Sequence, residues 1–267
     1  MGHQRIGTLH ASKKWNAVVA LITGGASAAE IAAETAIAAE HSLKEASSNP
    51  TLRYAFWLLT QIPLAARKEN FGDALRDLGL AVGNAPSLLE IGAAMLSAID
   101  RVGSTAKQRN DLSEIASKAA TQSLVALAGR AENSLFGTSY AADEARAALK
   151  GLSTNRQFGV VARDFTSRLI QDFTAYFLSR ALPLHVGENK RFQSIKDHHA
   201  FNEALARHCR ETSSIVEQFA CEWYSKTTSR EALRLGRPAA SCMSSSTRSE
   251  PNLRSGGGPL MPEVRVY

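Results

Sequence analysis

The stretch "DHHAFNEALARHCRETSSIVEQFACEWYSK", residues 197–226, holds three of the seven histidines and two of the three cysteines of the 267-residue chain. It reads either as a metal or catalytic cluster or as an amphipathic core helix, and helical geometry decides between them. Side chains three or four residues apart share a face. At those steps His198 has Phe201 and Asn202, His199 has Asn202 and Glu203, and His208 has Glu211 and Thr212. No histidine finds a second histidine or a cysteine at those steps. His198 and Cys209 point to a similar side, but eleven residues separate them by ~16 Å along a helix axis. In contrast, Phe201, Leu205, Thr212, Val216, Phe219 and Trp223 fall within an arc of ~60° at ~100° per residue. The stretch predicts one long amphipathic helix, 197–225, with His208 at the edge of its apolar arc, Cys209 as a small buried hydrophobe and no metal site.

The remaining sequence follows the same rule. Alanine-rich segments carry apolar residues at three- and four-residue steps, and alternating β-branched runs are missing. Helices are expected at 11–23, 27–47, 51–62, 70–79, 87–102, 111–129, 140–151, 154–182 and 197–225. The fold class is all-α, a globular bundle of about nine helices. Ser27 with Glu30 and Ser87 with Glu90 fit capping boxes, in which the serine oxygen accepts a backbone N–H and the glutamate reaches back to cover another. Asp111 and Glu114 offer a related arrangement. Asn49-Pro50, Ile62-Pro63, Ala85-Pro86 and Leu182-Pro183 mark turns, because proline lacks a donor and restricts the residue before it. GSTAKQRN, residues 103–110, is the polar stretch at which a body spanning 1–226 would divide into two lobes.

Beyond Thr227 the composition changes. Of 41 residues, 21 are Ser, Arg, Gly or Pro. Such a segment buries too little apolar surface to offset the entropy of ordering, so 227–267 is expected to be a mostly disordered tail, above all past residue 236. The tail also carries six arginines against three glutamates, which is half of the net charge of +6. The body is therefore only weakly basic and shows no dense cationic surface of the kind that neutralises phosphates.

The N-terminus MGHQRIGTLHASKKW lacks a signal-peptide core, and the longest apolar run, Ala17 to Ile22, is too short to span a bilayer. Three widely spaced cysteines form no CxxC pair and suit a reducing compartment. A cytoplasmic protein with no membrane partner is expected. No phosphate-loop, dinucleotide, zinc-protease or nucleophile-elbow signature occurs, and no cofactor is predicted. GASAAEIAAET, from Gly25, has the rhythm of a helix-turn-helix opening, but no breaker follows it.

Three sets of candidate residues remain. Trp223 and Tyr224 are neighbours near a helix end, so both cannot face one core. With Lys226 they form a partner-binding candidate, since outward aromatics anchor interfaces. Arg156, Arg163, Arg168 and Arg180 are interleaved with Phe158, Phe165, Phe173, Tyr176 and Phe177, a mixture that also serves single-stranded nucleic acid. Arg168 lies ~140° from Arg163 around a helix, however, so these arginines make no continuous stripe. His208 and Cys209 diverge by ~100° and form no nucleophile pair themselves. An enzyme would need His185 or another histidine brought in from elsewhere in the fold.

The segments AFWLLTQIPLAAR (55–67), ARDFTSRLIQDFTAYFLSRAL (162–182) and FNEALARHCRETSSIVEQFACEWYSK (201–226) resemble an uncharacterised family of bacterial helical proteins, over most of residues 5–226. The resemblance implies a bacterial cytoplasmic protein and brings no catalytic residues with it. Such proteins continue past the WYSK-like segment into another amphipathic helix, whereas this chain turns to Ser, Arg, Gly and Pro, as an out-of-frame reading of a GC-rich gene would. The functional expectation is a non-enzymatic interaction or adaptor subunit with a protein partner, self-association being open. Its alternatives are an accessory nucleic-acid binder and an enzyme with a His/Cys site.

Overall fold

The computed structural model of the chain describes residues 13–38, 49–105, 111–131, 142–179 and 181–229, and for 105, 131 and 223–229 the backbone alone. Ten α-helices lie among the described residues: α1 Lys13–Thr23, α2 Ala28–Ala38, α3 Pro50–Ala65, α4 Phe71–Asp77, α5 Leu88–Thr105, α6 Asp111–Ala131, α7 Ala142–Gly151, α8 Asn155–Leu178, α9 Ile195–Thr212 and α10 Ser214–Ser229. A short 3-10 turn, Leu182–His185, follows α8. The one β-bridge among the described residues pairs Val186 with Phe192, and the fold is all-α. The expected tail from residue 230 onward, and residues 106–110 of the expected lobe boundary, lie outside the described residues.

Helix starts follow local side-chain chemistry. Ser27 and Glu30 form the expected box, with Glu30 Oε2 accepting the Ser27 N–H at 2.8 Å and Ser27 Oγ accepting the Glu30 N–H at 3.3 Å. Ser87 Oγ likewise accepts the Glu90 N–H, but the Glu90 carboxylate accepts from the Gly83 N–H instead of closing the box. Asn49 Oδ1 accepts from Thr51 and Leu52 at the start of α3, and Thr154 Oγ1 accepts from Gln157 at the start of α8. The expected stop at Ile62-Pro63 is corrected: α3 runs through Pro63 to Ala65. A proline in the last turn forfeits only its own backbone donor, and its ring is buried there among apolar neighbours.

α6 and α8 form the centre. α6 packs against α5, α3, α7 and α8, while α8 packs against α10, α9 and α2. Small residues make the close approaches: Ala116, Ala119, Ala120 and Ala128 of α6 are buried, with Ser113, Ser117 and Ser123 among them. Phe56 of α3 meets Phe158 and Phe165 of α8 with ring centroids 5.8 Å apart. Polar ties join the helices at the rim. Tyr176 donates to the Asp111 carboxylate, and Lys118 pairs with Asp172 at 3.0 Å.

Candidate interaction surface

The expected single helix 197–225 is two helices meeting at Ser213. Around the break, the Cys209 carbonyl accepts from Ser213 Oγ at 2.7 Å and Thr212 Oγ1 at 3.2 Å as well as from the Ser213 N–H. Hydroxyls that bond back to the preceding turn bend a helix, and here two consecutive ones do so. The burial pattern changes with the bend. Phe201, Leu205, Cys209, Ser213, Val216 and Ala220 are buried, whereas Thr212 and Phe219, both assigned to the apolar arc, are exposed. The true seam runs through the small residues Cys209, Ser213 and Ala220, which a tally of large apolar side chains passes over.

α10 lies on α8 through this seam. Gly159 makes the contact possible: a Cβ there would stand 2.3 Å from Cys221 Sγ and 2.8 Å from the Glu217 carbonyl oxygen. Arg163 Nη1 donates to Glu217 Oε2 at 3.0 Å along the same seam. On the flank beside this seam α10 leaves two apolar residues open, while Ser214, Gln218 and Glu222 are exposed on its outer side. Ile215 is 44% and Phe219 49% exposed, one turn apart. Position 223 follows Phe219 by one turn and position 224 follows Ala220 by one turn, so the backbone sets Trp223 and Tyr224 at different angular positions. The side chains of Trp223, Tyr224 and Lys226 lie outside the described residues.

The other candidates fall at separate places. Cys209 is 1% exposed, and burial pushes its thiol up to about 11, so it is protonated at neutral pH. That is the wrong state for a nucleophile. His208 beside it is half-buried, and His185 sits in the 3-10 turn after α8. Among the described residues, no group of three or more His, Cys, Asp or Glu side chains is placed to hold a metal ion. Arg163 is paired with Glu217, Arg168 donates to Asp164 at 2.6 Å, Arg156 is exposed, and Arg180 lies outside the described residues.

Sequence reasoning missed what the other arginines do. Arg76 donates to the Val82 and Gly83 carbonyls, both at 3.0 Å, and Arg101 to the Gly79 carbonyl at 2.6 Å. Arg146 donates to the Ala66 and Lys68 carbonyls beyond the end of α3, at 3.2 and 2.7 Å. Arg191 donates to the Ile22 carbonyl at 3.3 Å and to the Ala26 carbonyl in the turn between α1 and α2. These carbonyls belong to helix ends and turns, where the backbone leaves acceptors without helical partners. Two open clefts border these arginines. One, of about 460 Å³, is lined by Thr23, Gly25, Arg191, Asp197 and Phe201, and the other, of about 370 Å³, by Glu69, Asp73, Arg76, Asp143 and Arg146.

No helix among the described residues is long and apolar enough to cross a membrane. Comparison with protein-family models, with curated proteins and with solved structures finds no match to this chain.

Proposed function

We propose that the protein is a non-enzymatic helical interaction subunit, an adaptor in a larger assembly, and that it engages a protein partner through the exposed flank of α10. The observation that carries the reading is the exposed pair Ile215 and Phe219, one turn apart on the flank of a helix whose buried side, Val216 and Ala220, packs on α8. An amphipathic helix that buries one side and shows a second apolar strip is the form read by helix-in-groove and helix-on-helix partners. Trp223 continues the strip by sequence spacing, and large aromatics near the centre of an interface carry much of its binding energy. The geometry at Cys209 and the pairing of Arg163 and Arg168 give the enzymatic and nucleic-acid readings less to stand on.

The test is fluorescence-detected sedimentation of the labelled full chain in lysate of its source cell. The expected result is a species larger than the 28.7 kDa monomer that reverts to the monomer in the Ile215→Asp/Phe219→Asp double variant, with unfolding free energy unchanged. Identical sedimentation of the two proteins would refute the reading.

A further inference from the structure

Leu184 and Ile195 are the most exposed large apolar side chains among the described residues, at 69% and 79%, and they flank a single loop between α8 and α9. The inner side of that loop is built to hold its shape. Phe192 donates its N–H to the His185 carbonyl at 3.0 Å, and Gly187 donates to the Phe192 carbonyl at 2.8 Å. Gly187, at φ 136°, and Asn189, at φ 59°, turn the chain through conformations that most residues avoid. Arg191 anchors the loop to the α1–α2 turn, and its guanidinium lies 5.1 Å from the Phe192 ring centroid and 5.5 Å from that of Phe201. Phe192 and Phe201 are buried, so the loop is fixed by residues other than Leu184 and Ile195. Polar residues at those two positions would serve the fold equally well.

Isolated exposed apolar residues are common and carry no message of their own. These two differ in having a lysine each. Lys190 Nζ donates to the Leu184 backbone carbonyl at 2.8 Å, and Lys196 is exposed and directly follows Ile195. The carboxylates nearby are Glu188, exposed on the same loop, and Asp197, which accepts from the Ser194 N–H and hydroxyl in its capping box. A stiff loop with protruding apolar tips and adjacent ammonium groups has the chemistry of an interfacial anchor: the tips enter the acyl boundary and the lysines meet anionic headgroups.

We infer that the 182–195 loop docks on an anionic lipid surface. Two tips and two lysines make the association weak and reversible. It is independent of the α10 reading, and Phe219→Asp leaves it unchanged.

The experiment is co-sedimentation of the full chain with vesicles of phosphatidylcholine alone or of phosphatidylcholine mixed with phosphatidylglycerol, at low and high salt. The expected result is binding to the phosphatidylglycerol vesicles at low salt, weakened roughly tenfold in the Leu184→Asp/Ile195→Asp variant. Lys190→Gln/Lys196→Gln should flatten the salt dependence. Leu184→Trp provides a second readout, a blue shift of its emission on the same vesicles. Absence of low-salt binding, equal binding by wild type and the Asp variant, or binding of polyglutamate in place of vesicles would each overturn the inference.

Discussion

Cys209 shows how one buried group ties stability to pH. Burial raises its thiol from an ordinary 9.0 to about 11, so the folded chain holds that proton more tightly than the unfolded chain. The stabilisation is complete below the unfolded value and is lost as pH rises toward the folded one. Between pH 9 and 11 the wild type should lose ~2 kcal/mol more unfolding free energy than Cys209→Ala, read by urea titration at each pH. Parallel losses in the two proteins would show that Cys209 is ionised without penalty. Ser123 gives the opposite kind of prediction. Its hydroxyl is fully buried with no hydrogen-bond partner among the described residues, so Ser123→Ala should raise stability by ~1 kcal/mol in urea unfolding. A fall in stability would point to a partner for that hydroxyl. At this scale the sequence was legible in part: Cys209 reads as a small hydrophobe from its type, but Ser123 reads like any serine, since its burial depends on helices distant in the chain.

At the scale of elements, helix type and order could be read from periodicity, and boundaries from caps such as Ser27 with Glu30. The two failures have different causes. The break at Ser213 follows two hydroxyls that bond back to the Cys209 carbonyl, whereas the exposure of Phe219 depends on how the chain docks on α8 through Gly159, Cys209, Ser213 and Ala220. Small residues announce nothing in a pattern of large apolar ones, yet they set how closely helices approach. Gly159→Ala should therefore cost ~2 kcal/mol in urea unfolding and speed the reaction of Cys221 with a thiol reagent, because the new methyl must displace α10. Unchanged stability and labelling would mean that the seam yields freely. Arg191→Lys makes a companion test for the 182–195 loop. A lysine cannot fork between the Ile22 and Ala26 carbonyls as the guanidinium does, so faster amide exchange is expected in residues 185–192.

For the molecule as a whole, the sequence offered a weakly basic body and left the fate of its arginines open. The fold directs Arg76, Arg101, Arg146 and Arg191 to backbone carbonyls and Arg163 and Arg168 to carboxylates, so much of that charge acts within the chain. No motif could have shown this, because each acceptor is a carbonyl placed by tertiary structure. EWYSK drew attention to the end of α10, whose side chains lie outside the described residues, while Ile215 and Phe219, the exposed pair, read as core or passed unnoticed. The central claim is that this pair faces a partner, and site-specific photo-crosslinking tests it most directly. A benzophenone side chain replaces Phe219 in the full chain within its source cell, and a second chain carries it at exposed Gln193 as control. The account predicts one discrete protein adduct from position 219 and none from 193. Absence of any adduct at 219, or adducts confined to residues 230–267 of the same chain, would contradict it.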